Sequence, residues 1–221
     1  MSSHIIKNSS PGHSSSMANK DVREQLLDAA TALFAEQGIA STTVAEIASR
    51  IGVTSAMVHY YFKTRDHLLD TIIEERVERF IAYVWDPITG SDADPFTMVK
   101  DLVIRIIKAS DLMPWLPPLW IREIVNEGGL LREKMLQHIP VEKPKQFGKC
   151  IAAAQKQGIV NPDIDPRWLW MSIIGLTMLP LAAAKIWNRV PTLVDLNKDD
   201  LARHVIALLM HGLTNPSFTP T

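Results

Sequence analysis

One short stretch of this chain carries residues whose types and spacing suit one chemistry, hydrogen bonding to the base edges and phosphates of a nucleic acid. Ser55, Ala56, His59 and Tyr60 fall on the outward side of a segment whose inward side holds Val53, Met57 or Val58, Tyr61 and Phe62. Ser55 and Ala56 are small, so the start of the segment can come close to a base edge, while His59 and Tyr60 extend hydrogen-bonding groups beyond it. Lys63 and Arg65 flank Thr64, the expected cap of the next helix. A cation beside a helix N-terminus opposes the macrodipole, at a cost of roughly a few tenths of a kcal/mol. The placement makes sense where a phosphate sits, because a helix N-terminus is itself an anion site.

The elements that must position these groups are legible on either side. From Thr43 to Arg65 the chain reads TVAEIASRIGVTSAMVHYYFKTR. Val44, Ile47, Ala48 and Ile51 share one face at helical spacing, and Thr43 with Glu46 three residues on forms a capping box that starts the helix at Val44. Gly52 supplies the left-handed position that closes it, and Thr54 is the expected cap of the following helix. Two short helices joined by such a turn form a helix-turn-helix, whose second helix enters a DNA major groove in binding proteins. The same corner also occurs as plain scaffold in all-α proteins; the small and cationic residues of the second helix are what favour DNA. A preceding helix begins at Asp21, buries Val22, Leu26, Ala29, Ala30, Leu33 and Phe34, and ends at Gly38. A following one carries Leu68, Leu69, Ile72, Ile73, Val77, Phe80, Ile81 and Val84 along a single stripe to about Trp85.

Proline segments the remainder. Asp94-Pro95 and Asp165-Pro166 each read as a cap followed by a first-turn proline. Pro114, Pro117 and Pro118 precede a short helix, LWIREIVNE, and LLREKMLQHI runs into Pro140 and Pro144, where it is kinked or split. The run from Trp168 to Ala184 is apolar nearly all round. It is shorter than the roughly 20 residues that span a bilayer and contains Pro180, so a membrane helix is not expected. A helix apolar on all sides in a soluble protein is covered on all sides. With the leucine-rich last helix it therefore predicts a four-helix interface between two copies, carried by Ile174, Met178, Leu201, Val205, Leu208 and Leu209.

Composition excludes other classes. Net charge is −1, so nucleic acid would be held by a local cationic rim and by two copies acting together rather than by overall basicity. The single cysteine, Cys150, rules out an intrachain disulfide framework and suits a reducing cytoplasm, the expected location. No G-x-S-x-G, H-E-x-x-H, phosphate-cradling glycine loop or paired metal-ligand spacing occurs, so no catalytic residues, metal or cofactor are expected and the chain does not read as an enzyme. His204 and His211 are two turns apart and poorly placed to share a metal. The first residues, MSSHIIKNSSPGHSSS, are polar and serine-rich and read as a disordered arm or a tag remnant.

The run LLDAATALFAEQGIASTTVAEIASRIGVTSAMVHYYFKTRDHLL resembles the N-terminal domain of the TetR family of bacterial transcriptional regulators. The elements that carry the likeness are the alanine-rich first helix ending in Phe34 and Gly38, the pair Thr42-Thr43, Ile47-Ala48, Gly52-Val53, and Tyr61-Phe62-Lys63. The resemblance implies an all-α fold: an N-terminal three-helix helix-turn-helix domain followed by a helical ligand-binding and dimerisation domain. The expected divisions are an arm at 1–18, the DNA-binding domain at 19–66, the effector domain at 67–215 and a tail at 216–221. It also implies a homodimer on a palindromic double-stranded DNA operator, released by a small-molecule inducer. Its DNA-contacting set is Thr43, Thr54, Ser55, Ala56, His59, Tyr60, Tyr61, Lys63 and Arg65, with Ser55, Ala56 and His59 at base-reading positions. Two positions depart from the family pattern: His59 stands where tyrosine is frequent, and Ser55 where lysine or arginine often is. In the effector domain, Met113, Trp115, Trp120, Phe147, Trp168 and Met171 supply large soft walls for an apolar ligand, with Arg105, Arg122 and Glu123 as polar anchors. The competing reading is a small-molecule-binding protein or enzyme whose helix-turn-helix is only structural.

Overall fold

The computed structural model describes residues 12–86, 94–138, 141–192 and 196–217. Residues 1–11 of the expected arm, the Pro140 junction and the end of the tail from 218 lie outside the described residues. Helix α1 spans Gly12–Gln37, so residues 12–18, expected in the arm, belong to a helix. Then come α2 (Val44–Arg50), α3 (Ser55–Phe62) and α4 (Arg65–Ile72). Helix α4 passes through a π turn, Ile73–Val77, into α5 (Glu78–Trp85). The effector part holds α6 (Pro95–Leu112), α7 (Leu116–Trp120), a second π turn at Ile121–Val125, α8 (Arg132–His138) and α9 (Glu142–Lys156). It closes with α10 (Pro166–Ala182), α11 (Ala184–Trp187) and α12 (Lys198–Leu213). Among the described residues the β structure is one isolated bridge, Val160 to Thr214, and no helix is long and apolar enough to cross a membrane.

Local signals explain the boundaries. Asp94, Asp165 and Asn197 each accept a backbone N–H of the helix they open, and proline occupies the first turn of α6 and α10. Pro144 lies in the first turn of α9, where a missing N–H costs nothing, so the chain splits before α9 rather than kinking within it. Pro180 inside α10 removes one ladder donor, and the helix ends two residues later instead of running on through Trp187.

Two cores form. The first joins α1 to α4 and the first π turn around Leu26, Leu27, Phe34, Ile47, Phe62, Leu68 and Ile72. It extends past the expected boundary at residue 66, since Leu68, Leu69, Ile72, Ile73 and Val77 all belong to it. It also takes in Leu119, Leu131 and Met135 from the far side of the chain. The second core packs α5, α6, α9, α10 and α12 around Leu102, Val103, Ile106, Phe147 and Ile173. Ile81, Trp115 and Trp120 pack against both.

The α10 and α12 faces differ from the expected interface set. Met178 and Val205 are buried in the protomer's own core, and Ile174, Leu201 and Leu209 pack against its edge. The uncovered side carries Trp168, Met171 and Leu179 on α10, Ile186 and Trp187 on α11, and Leu208 on α12. A helix apolar all round gives no periodic signal for which half faces inward; the packing of α10 on α6 and α9 decides it.

Candidate nucleic-acid interface

Helix α2 opens as its sequence dictates. The Thr43 N–H donates to Glu46 Oε2 at 2.7 Å, the Thr43 hydroxyl to the same oxygen at 2.8 Å, and the Glu46 N–H to the Thr43 hydroxyl at 3.2 Å. These bonds, the backbone one foremost, hold the Glu46 carboxyl below the usual carboxylate range. The Thr43 side chain is thereby committed to its own helix. Gly52 turns the chain with φ +72, and Thr54 follows in an extended conformation at the N-cap of α3. Its side chain makes no capping bond, contrary to expectation, and the residue is exposed.

On α3, Val58 and Phe62 are buried in the head, and the opposite side presents Ala56, His59 and Tyr60, with Ser55 partly covered at its start. Helix α3 therefore stands on the head with its outer face open, as a groove-entering helix requires. The His59 Nδ1–H donates to the Lys63 carbonyl at 3.3 Å, which aims Nε2 outward. Tyr60 and Tyr61 meet edge to face with centroids 5.1 Å apart. Desolvation pushes the Tyr61 phenol above its ordinary range, with the neighbouring Tyr60 adding to it, so it stays a neutral hydroxyl.

Lys63 closes α3 in a backbone state that other residue types avoid. Its φ is +58 and ψ −63, and the Thr64 N–H donates across it to the Phe62 carbonyl at 2.5 Å. This is a γ-turn of the strained kind. It is the one positive φ outside glycine among the described residues. The turn leaves Lys63 exposed with its ammonium 5.8 Å from the Tyr60 ring centroid. Strain held at a cation on an open face argues that the cation is wanted there. Lys63→Ala is expected to weaken binding to every DNA sequence and to make the salt slope shallower by about one unit, read from affinities between low and moderate salt. Lys63→Gly should show the same slope with a higher melting temperature, because glycine removes the strain. An unchanged slope in both would take Lys63 out of contact with the backbone.

Arg65 does something sequence reasoning did not expect. Its Nη2 donates to the Ile39 carbonyl in the turn between α1 and α2, so one arm of the guanidinium braces the head internally. Nothing local in the sequence marks this bond, which spans 26 positions. Of the other expected residues, Thr43, Thr54, Ala56, His59, Tyr60 and Lys63 are exposed, Ser55 is partly covered, and Tyr61 packs its ring against the head core. His59→Ala should shift operator preference by about 1–3 kcal/mol at one base pair. A uniform loss across sequences, measured on a panel of single-substituted duplexes, would mark it as a positioning group instead.

The expected ligand residues converge only in part: Met113, Trp115, Trp120 and Phe147 meet on the effector core, and the others do not join them. Trp168 is 67% and Met171 53% exposed on the outer face of α10. Arg122 is exposed, Glu123 is spent on backbone donors, and Arg105 lies against Tyr83, its Cζ 5.8 Å from the ring centroid. What does meet in the effector core is Trp85, Phe147 and Trp170. The Trp85 ring centroid is 6.2 Å from Phe147 and 4.5 Å from Trp170, with Met113, Trp115 and Trp120 packed on the same core. Trp170 takes the inward place expected of Trp168, because in WLWM spacing alone does not say which tryptophan faces inward, and Trp85 joins it from the end of α5. Burial pushes the Cys150 thiol upward, which suits packing rather than reactivity. Among the described residues no group of three or more His, Cys, Asp or Glu could hold a metal ion.

The comparisons with known proteins agree on this architecture. The sequence profile of bacterial regulatory proteins, tetR family, matches residues 26–72. The HTH-type transcriptional repressor KstR2 of Mycolicibacterium smegmatis is 30% identical over 192 residues, covering 87% of this chain and 90% of its own. In fold, the chain is similar to the ketosteroid transcriptional regulator KstR2 of Mycobacterium tuberculosis, with a TM-score of 0.71 at 21% identity, covering 87% of this chain and 95% of that one. It is also similar to the SmeT–triclosan complex, with a TM-score of 0.57 at 24% identity and coverage of 90% and 95%.

Proposed function

Because the chain belongs to the TetR family of bacterial regulatory proteins, we propose that it is a homodimeric repressor that places two α3 helices in successive major grooves of a palindromic operator. The observation that carries this reading is the open face of α3, with Ser55, Ala56, His59 and Tyr60 displayed beside the strained Lys63 turn. In this reading the exposed Thr43 and Thr54 meet the duplex backbone, with the Tyr61 hydroxyl as a further contact, and Arg65 braces the unit. Two-fold symmetric heads require half-sites about one helical turn apart, or a multiple of it.

The outward apolar row of Trp168, Met171, Leu179, Ile186, Trp187 and Leu208 supports the dimer. An apolar patch of that kind on a folded chain marks an interaction surface, and a self-complementary one closes as a two-fold pair.

Release falls to a small, largely apolar ligand. The supporting feature is the aromatic cluster Trp85, Phe147 and Trp170 with Trp115, Trp120 and Met113 at its margin, a set of walls that a bulky ligand would part. A relative whose name declares a ketosteroid regulator and another solved with triclosan are in keeping with a ligand of that bulk. The ligand acts by favouring a dimer whose heads are spaced wrongly for DNA, and its differential affinity for the two states sets the size of the response. In this reading the chain acts by binding alone.

Selection from random-sequence duplexes tests the reading. Recovered sequences should share two inverted half-sites at one fixed separation. Recovery without any shared sequence would favour the competing reading, in which the helix-turn-helix is only structural.

A further inference from the structure

The α1–α2 turn of the head is held from two sides through a single residue. The Ile39 N–H donates to Glu123 Oε1 at 2.9 Å, and the Ile39 carbonyl accepts from Arg65 Nη2. Glu123 belongs to the π turn Ile121–Val125 in the effector half, 84 positions away in sequence. Its other oxygen, Oε2, accepts the Leu130 N–H at 3.1 Å. The residue is 5% exposed, so this carboxylate is buried, and each of its oxygens accepts a backbone amide.

The turn is shaped to receive it. Gly38, with φ +90, lies so close that a Cβ there would sit 3.2 Å from Arg122 Cδ and 3.3 Å from Glu123 Oε1. Ile39 itself is fully buried in the head core. The neighbouring attachments are of a different kind. Leu119, Leu131 and Met135 make apolar contacts, and Lys134 pairs with Asp66 at 3.0 Å and with Asp70 near the surface. Apolar contacts slide and surface ion pairs re-form, whereas a buried carboxylate that loses an N–H partner has no cheap substitute.

We infer that Glu123 is the positioning residue that fixes the angle of each DNA-binding head: its carboxylate ties the Ile39 amide to the effector segment, and Arg65 passes that position to the α3–α4 corner. The inference rests on the proposed two-headed regulator and names the bond through which the effector half acts on it. The π turn carries Trp120 immediately before it and Glu123 within it. A shift of this segment about the aromatic cluster withdraws the carboxylate from Ile39 and lets the head tilt on its remaining apolar contacts. Helical π turns often mark such functional positions.

The test uses the full chain and duplexes carrying the selected half-sites at the selected separation, or with one base pair added or removed. Wild-type protein should discriminate sharply between these spacings. Glu123→Gln keeps one acceptor but faces the second N–H with an amide NH₂, and Glu123→Asp keeps the charge but draws it back; the second covers the case in which the first fails to fold. Either folded variant should lose about 5- to 50-fold in affinity for the native spacing. It should tolerate the altered spacings almost equally, and show an unchanged salt slope, since no phosphate contact is removed. A merely destabilised protein would keep the wild-type spacing preference. The exchange rate of the Ile39 amide, followed without DNA, should rise about tenfold or more while amides in the middle of α1 stay protected. Wild-type spacing preference and unchanged Ile39 exchange in a folded variant would overturn the inference. Wild-type protein with no spacing preference would sink the two-headed reading itself, and the Ile39 exchange would still decide whether Glu123 holds the turn.

Discussion

Leu208→Glu should leave each protomer folded and remove operator binding. Leu208 is 51% exposed on α12, which packs beside α10, and it is not part of the protomer's core, so a charge there disturbs little packing within one chain. In the dimer the same charge would be buried against apolar groups, where an unpaired carboxylate is not tolerated. Light scattering should report a monomer, and circular dichroism an unchanged helical content. Operator affinity should fall by about 10³-fold or more, towards the non-specific level of a single head. Val205→Glu, one turn away but buried in the protomer, should unfold the chain instead. A Leu208→Glu dimer that still binds operator would place the interface elsewhere.

The second large effect concerns the head alone. A chain ending at Asp86 keeps all of α1 to α5, yet it should not fold. Leu119, Leu131 and Met135 complete the head's core from the effector half and are each 1% exposed or less. Burying each is worth about 1.5–3 kcal/mol, so their joint removal approaches the roughly 5–15 kcal/mol that holds a whole domain. The loss of the Glu123 bond to Ile39 and of the Lys134 pairs adds to this. Circular dichroism of the fragment should show reduced helicity and no cooperative melt. A cooperative transition like that of the full chain would mean that the head stands by itself and that the effector segment is only leaning on it.

These two effects mark where sequence and structure part. Most caps were legible because each is local: Thr43 with Glu46, Asp94 before Pro95 and Asp165 before Pro166 form the bonds that their spacing predicts, whereas Thr54 forms none. The inward face of α3 was legible too, since Val58 and Phe62 alternate with polar residues on a short amphipathic segment. Long-range choices were not. Arg65 and Lys63 look alike in sequence, one residue apart on either side of Thr64, yet one braces Ile39 and the other faces solvent. Glu123 resembles any helical acid until the Ile39 N–H arrives beside it. On α10, Trp168 and Trp170 are two positions apart in an apolar run, and only the helices packed against that run send one outward and the other onto Trp85. The expected head boundary at 66 fell short for the same reason. The periodicity of α4 continues unbroken, and the core it joins is completed by residues more than forty positions downstream.

Everything turns on whether α3 reads a sequence. The most direct measurement is an anisotropy titration of the intact protein with the duplex from upstream of its own gene, beside a scrambled duplex of equal length and composition, at about 150 mM salt, where non-specific attraction is screened. The account predicts that the upstream duplex is bound at least about 10³-fold more tightly, with an even number of protomers on each duplex and with the preference shifted by His59→Ala. Equal affinity for the two duplexes, or a preference indifferent to His59 and the other outward residues of α3, would contradict it.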